Sequence, residues 1–163
     1  MRTYRLFVQR EQYKVSCAHM TVFPDGSKER LHGHNYQIGC ALEVSDISFQ
    51  KIVPFAMVKQ ALAELCTAWK EKVFLAKHNP YFRLLQQDAT SLVFTLCDQH
   101  YELPAGDVLL LDTDNITVET LADLAATHLS TRLGSWLKQP HVRSLEATVS
   151  ETPGQGASCT LTF

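Results

Sequence analysis

The chain has no excess of charge of either sign. Its 163 residues carry 15 Lys and Arg against 17 Asp and Glu, a formal net charge of -2. That balance gives no electrostatic footing for nucleic acid or an anionic membrane as partner. No apolar run approaches the ~20 residues a bilayer span needs. The opening Met1-Arg2-Thr3-Tyr4-Arg5 shows no apolar core of a secretion signal. There is no Cys-x-x-Cys. The five cysteines, Cys17, Cys40, Cys66, Cys97 and Cys159, are odd in number and dispersed. They argue against a disulfide framework and for reduced thiols in a cytoplasmic protein. Repeats, low-complexity tracts and linkers are absent as well, so residues 1–163 read as one domain. With 45% hydrophobic and 20% charged residues, it is long enough for a packed core.

Against that plain background, Leu31-His32-Gly33-His34-Asn35-Tyr36 stands out. A β-prone run continues to Val44. On a strand, His32 and His34 project from the same face, because side chains alternate with period two. Two imidazoles on one face can grip one metal ion. A third ligand from a neighbouring strand would leave one tetrahedral position open, the arrangement of a catalytic zinc. His19, at the end of a first strand over Tyr4–His19, is the candidate third ligand. Phe23-Pro24-Asp25-Gly26-Ser27 supplies a turn between the two strands, which predicts an antiparallel pair.

Further along, Phe55, Val58, Leu62, Leu65 and Trp69 recur at steps of three and four, predicting a helix from Pro54 to about Lys70, with Pro54 at its first position. Lys72–Leu75 reads as extended, and His78-Asn79-Pro80 as a break. Phe82–Leu103 resembles a hairpin: Phe82–Leu85, a polar turn over Gln86–Ala89, and Leu92–Leu96, with a further extended piece at Tyr101–Leu103. Val108–Leu111 is a short strand. A second helix starts at Thr117, with Glu119 in its first turn, and Gly134 is a candidate stop. Val142–Val149 and Ser158–Phe163 alternate as closing strands around a turn at Glu151–Gly156. The order predicts an α+β domain with two helices on one face of an antiparallel sheet.

Four segments together carry a resemblance: Ser16-Cys17-Ala18-His19, Leu31-His32-Gly33-His34-Asn35-Tyr36, Thr117-Val118-Glu119-Thr120-Leu121-Ala122 and Val149-Ser150-Glu151-Thr152-Pro153. Taken in order, from about Tyr4 to Phe163, the chain resembles the 6-pyruvoyltetrahydropterin synthase / 6-carboxytetrahydropterin synthase family. The resemblance implies a tunnelling fold, ββααββ, here with an inserted hairpin at Phe82–Leu103. It also implies a homo-oligomer, trimer or hexamer, with active sites between subunits. It implies Zn2+ on His19, His32 and His34, and a pterin substrate whose ring Glu151 anchors, with Thr117 contributing a contact.

The chain departs from the family at three places. The pyruvoyl and carboxy branches carry a cysteine four residues before the first histidine of His-Gly-His, where this chain has Lys28. The neighbouring Glu29 matches a variant branch in which glutamate replaces that cysteine. That branch cuts the side chain of 7,8-dihydroneopterin triphosphate to 6-hydroxymethyl-7,8-dihydropterin, a folate precursor. The family's Asp-His proton relay after the first helix falls on either Lys70-Glu71 or Lys77-His78, with its aspartate missing either way, and His78 is the candidate acid/base. The family's Asp-Phe at the first helix is Pro54-Phe55. The expectation is therefore a zinc-dependent carbon–carbon or carbon–oxygen lyase, with Glu29 and His78 catalytic and the hydroxymethyl product preferred. A 6-carboxy- or 6-pyruvoyl-tetrahydropterin synthase, or a zinc- and pterin-binding member without turnover, is the alternative.

Overall fold

The computed structural model describes residues 2–163. In chain order the elements are β1 (Tyr4–His19), β2 (His32–Val44), α1 (Phe55–Trp69), β3 (Lys72–Ala76), β4 (Phe82–Gln87), β5 (Ser91–Leu96) and β6 (Gln99–Pro104). They continue with β7 (Val108–Leu111), α2 (Val118–Leu137), β8 (Val142–Thr152) and β9 (Gln155–Thr162). Six strands form one sheet in the order β7-β3-β1-β2-β8-β9, and β4-β5-β6 form a second.

β1 and β2 are the long central hairpin, with Tyr4 opposite Val44 and His19 opposite His32. Their register slips between Gln9 and Lys14, where five residues of β1 span the space of two on β2. That odd surplus flips which residues face inward. Leu6 and Val8 pack on the core before the bulge, and Tyr13, Val15 and Cys17 after it. The flip puts His19 on the same face as His32 and His34, beyond the inward-facing Tyr36 and Ile38.

Both helices cover that face. α1 buries Val58, Leu62, Leu65 and Trp69, and α2 buries Leu121, Ala125, Leu129 and Leu133. They share one core with Val15, Tyr36, Ile38, Leu145 and Val149. The expected α+β class with helices on one face is therefore what the chain adopts. The sheet is not wholly antiparallel, however: β3 pairs parallel with both β1 and β7, because α1 and then the β4–β6 insertion carry the chain back before each strand begins.

Three boundaries differ from the sequence reading. Pro54 precedes the first helical turn instead of opening it; its carbonyl accepts from the amides of Met57 (2.9 Å) and Val58 (3.2 Å), the role of a helix cap. Gly134, at φ 39°, ψ -112°, interrupts the helical backbone of α2 as its expected role as a stop requires, and a further turn with the buried Trp136 and Leu137 follows it. The inserted hairpin is a three-stranded meander. Its first turn falls at Asp88–Thr90, where the Asp88 carboxylate accepts from the amides of Thr90 and Ser91 (2.8 and 2.9 Å). Leu92, Phe94 and Leu96 pack there with Met20, Val22 and Leu75 in a second core. Last, β8 and β9 run into the predicted Glu151–Gly156 turn, leaving only Pro153 and Gly154 between them. No helix among the described residues is long and apolar enough to cross a membrane.

Candidate active site

Three imidazoles meet where β1 ends and β2 begins. Because His19 and His32 are cross-strand partners and His34 lies two residues on, the rings sit centroid to centroid at 4.7 Å (His19–His32), 5.0 Å (His19–His34) and 4.8 Å (His32–His34). One nitrogen from each lies within 4.8 Å of the other two. His32 Nε2 and His34 Nε2 are 2.9 Å apart. His32 Nδ1 is 2.7 Å from the Arg30 carbonyl. An N–H donated there leaves the Nε2 lone pair facing the centre of the cluster, the tautomer a metal ligand needs. His19 is buried, 2% exposed. Burial, reinforced by His32 and His34, pushes its imidazole down to about 4, so it stands neutral. The donor set is therefore three imidazole nitrogens converging on one point, which fits a divalent ion of the zinc type.

Two carboxylates flank this cluster. Glu29 Oε2 is 3.8 Å from His32 Nε2, and Glu151 Oε1 is 3.9 Å from His34 Nε2. Glu29 reaches its place through the returning arm of the 21–29 loop: its amide donates to the Thr21 carbonyl at 2.9 Å, and Lys28 bridges to Val22. Glu151 sits near the end of β8, and its second oxygen accepts from Gln155 Nε2 across the tight β8–β9 turn at 2.8 Å. Beside it an open groove of about 550 Å³, lined in part by Arg10, Lys14, Asn35, Gln37 and Thr152, runs along the sheet face away from the helices.

Tyr36 escaped the sequence reading. It is fully buried, stacks on His34 (5.3 Å, 24°), and places its hydroxyl 3.2 Å from His19 Nε2. Burial, then the neighbouring Cys17, Glu151 and Glu29, push its phenol well above the usual range. In sequence it is one more aromatic on a strand.

The thiols are unsuited to nucleophilic work. Burial pushes Cys17 and Cys40 up to about 12 and Cys66 up to about 11, and it raises Cys97 and Cys159 as well. Reactive cysteines are shifted the other way.

The remaining candidates, Thr117 and His78, make no hydrogen bond or ion pair of their own to the three histidines among the described residues. Thr117 caps α2, accepting from the Thr120 amide at 3.4 Å while its own amide donates to Thr120 Oγ1 at 3.1 Å. Its neighbour Ile116 joins the cluster's surroundings through a carbonyl that accepts from Thr21 Oγ1 at 3.0 Å. His78 is half-exposed in the loop after β3. The residue before it in sequence is Lys77, not an aspartate, but in space His78 Nε2 is 2.5 Å from Asp112 Oδ1. The partner comes from the parallel neighbour. Ala76 faces Leu111 in register, so the residues just beyond β3 and β7 emerge side by side, tied by Lys77 N–H to the Leu111 carbonyl (3.0 Å) and His78 N–H to the Thr113 carbonyl (2.9 Å). No adjacent-residue motif could reveal that pair. Among the described residues, no hydrogen bond or ion pair links His78 to the histidine cluster.

The chain matches the model of a family described as 6-pyruvoyl tetrahydropterin synthase over residues 8–161. It is 29% identical over 147 residues to a candidate 6-carboxy-5,6,7,8-tetrahydropterin synthase of Methanocaldococcus jannaschii, covering 88% of this chain and 87% of the relative. Its fold is similar to the crystal structure of 6-pyruvoyl tetrahydropterin synthase from Plasmodium vivax, with a TM-score of 0.90, 21% identity and all of both chains covered. A further structure of that Plasmodium vivax protein, in which alanine replaces a glutamate described as a catalytic residue, is similar at a TM-score of 0.89 and 21% identity, again over all of both chains.

Proposed function

This chain belongs to the 6-pyruvoyl tetrahydropterin synthase family, and on that footing we propose that it is a zinc-dependent lyase. Its substrate is the side chain of 7,8-dihydroneopterin triphosphate, and its product is 6-hydroxymethyl-7,8-dihydropterin. The observation that carries this reading is the Glu29 carboxylate 3.8 Å from a ring nitrogen of the histidine cluster, in a chain whose thiols are all shifted away from reactivity. The glutamate described as catalytic in the Plasmodium vivax relative supports it.

His19, His32 and His34 would hold the ion, which would supply Lewis-acid activation of a substrate hydroxyl. Glu151 accepts two parallel hydrogen bonds from the pterin amino group and ring N–H, the planar pairing a carboxylate offers. Gln155 keeps that carboxylate turned toward the cluster, and Thr117 adds a contact at the start of α2. Glu29 takes the proton of a side-chain hydroxyl. The adjacent carbon–carbon bond then breaks, and its electron pair passes to the C=N of the dihydropterin ring. The triphosphate-bearing two-carbon fragment leaves as an aldehyde, and a proton is delivered to the side-chain carbon left on the ring, which restores the C=N and completes the hydroxymethyl group. His78, oriented by Asp112, moves that proton at the site of a neighbouring copy, since the pair faces outward from its own subunit. The protein accordingly works as a homo-oligomer.

The experiment is Glu29→Ala in the zinc-loaded protein. Turnover falls by about 10²- to 10⁴-fold, the usual contribution of a positioned general base, while zinc stays bound to the three histidines. Unchanged turnover removes Glu29 from the mechanism. The likeness to the Methanocaldococcus jannaschii relative favours a second reading, a 6-carboxy product, and the identity of the product separates the two.

A further inference from the structure

Lys28 stands where the resemblance calls for a cysteine, and its surroundings give it a partner. Its Nζ lies 5.4 Å from the centroid of the Tyr101 ring and 3.4 Å from the Glu29 carbonyl oxygen. Tyr101 belongs to β6, in the inserted sheet, and stacks on Phe94 at 5.0 Å and 10°. Phe94 is fully buried in the second core. A continuous line of contacts therefore runs from that core through Tyr101 and Lys28 to the backbone of Glu29. Tyr81, the residue just before β4, touches the loop as well. The Tyr81 hydroxyl donates to the Pro24 carbonyl at 3.2 Å, and its ring lies 3.0 Å from where a Cβ on Gly26 would sit. On the loop's other flank Asn115 accepts from the Val22 amide (3.1 Å) and donates to its carbonyl (2.8 Å).

The Glu29 carboxylate has little of its own to fix it. Its nearest donor is the Thr21 amide at 3.4 Å, and the side chain is 41% exposed. Its position is inherited from its backbone. We propose that the β4–β6 sheet is the positioning element of the Glu29 loop, and that Tyr101 holds Glu29 in place through Lys28. This rests on Glu29 as the base, which gives the positioning its consequence. Lys28 is then a positioning residue that touches no reacting atom. The insertion and the lysine belong together: one supplies the aromatic face that the other needs.

The test compares Lys28→Met, Tyr101→Leu and Tyr101→Phe in the zinc-loaded full chain. The first readout is amide hydrogen exchange at Glu29, whose N–H is bonded to the Thr21 carbonyl; it needs no turnover. The second is kcat and KM with 7,8-dihydroneopterin triphosphate. Lys28→Met and Tyr101→Leu speed exchange at Glu29 by about two- to fivefold, the scale of a partly exposed cation–π contact. They lower kcat by about three- to tenfold with KM within about twofold, and zinc content is unchanged. Tyr101→Phe keeps the ring face and behaves as wild type in both readouts. In a Glu29→Gln background, Lys28→Met causes no further loss of kcat. Tyr101→Leu also touches Phe94, so if it disturbs the inserted sheet, Lys28→Met decides the matter. Wild-type exchange at Glu29 together with wild-type kcat in Lys28→Met overturns the proposal. Should Glu29→Ala retain turnover, the reading of Glu29 as base falls on its own, and the exchange measurement still decides whether Lys28 and Tyr101 hold the loop.

Discussion

Replacing Gly156 by alanine would place a methyl group where the β8–β9 ladder has no room. Gly156 faces Ser150 in register. An added Cβ would lie 2.4 Å from the Val149 carbonyl oxygen, 2.8 Å from Ser150 Cα and 2.9 Å from Ser150 Oγ. The first of these is about 1 Å short of an ordinary contact. Two of the three atoms are backbone, so no side-chain rotation relieves the clash and the strands must part. Overpacking of this kind costs about 1–3 kcal/mol, which in a chain of this length lowers Tm by roughly 3–10 °C. The displacement falls next to Glu151, whose carboxylate lies 3.9 Å from His34 Nε2. Affinity for a pterin ring should drop on the order of tenfold, the scale of a misaligned charge-assisted hydrogen bond. Zinc content should not change, because the three histidines sit on β1 and β2. Calorimetry, titration with 7,8-dihydropterin and metal analysis read the three quantities. Gly106→Ala is the control, since nothing lies within 4 Å of its added Cβ. A Gly156→Ala protein with wild-type Tm and wild-type ring affinity would refute the steric reasoning and the placement of Glu151 as anchor together.

Three further outcomes are expected. Asp112→Asn removes the carboxylate beside His78 Nε2 and should lower kcat by about tenfold or more with little effect on KM; steady-state kinetics would reveal a purely structural pair as an unchanged kcat. Cys17→Ala should keep kcat within about twofold, because a thiol that burial pushes up to about 12 is not a nucleophile at neutral pH; loss of turnover with zinc and fold intact would reinstate a cysteine route. The Asp88 carboxyl is held well below its usual range by the Thr90 hydroxyl and the amides of Ser91 and Thr90. A depressed carboxylate stabilises the fold above the unfolded pKa, and that contribution fades as pH falls through the folded value, since the unfolded chain takes up the proton first. Acid melts of Asp88→Asn should accordingly show a smaller loss of Tm below about pH 4 than wild type; parallel curves would exclude the turn as the origin.

The long elements were legible because local chemistry and burial agree in them. Tyr4–His19 and His32–Val44 read as strands that end and begin on histidines, and β1 and β2 have those limits. The stripe Phe55–Trp69 and the Thr117 cap gave both helices. What stayed hidden depends on distant pairing. The bulge between Gln9 and Lys14 reverses the inward parity of β1 and carries His19 to the side of His32, yet nothing in Gln9–Lys14 announces it. Asp112 reaches His78 only because β3 and β7 run parallel in register, with no signal at either residue. Gly134 was legible as a helix stop, since glycine accepts φ of 39°, but the further turn that buries Trp136 and Leu137 beyond it is a tertiary fact. Lys28 read only as the residue standing where the family carries a cysteine, and nothing in sequence places Tyr101 against it.

The most direct test is mass spectrometry of what the zinc-loaded protein makes from 7,8-dihydroneopterin triphosphate. Zinc-dependent cleavage at Glu29 predicts 6-hydroxymethyl-7,8-dihydropterin in step with substrate consumption, abolished by Glu29→Ala and by removal of the metal. A 6-carboxy- or 6-pyruvoyl-tetrahydropterin as the sole product, or substrate left intact, would contradict it.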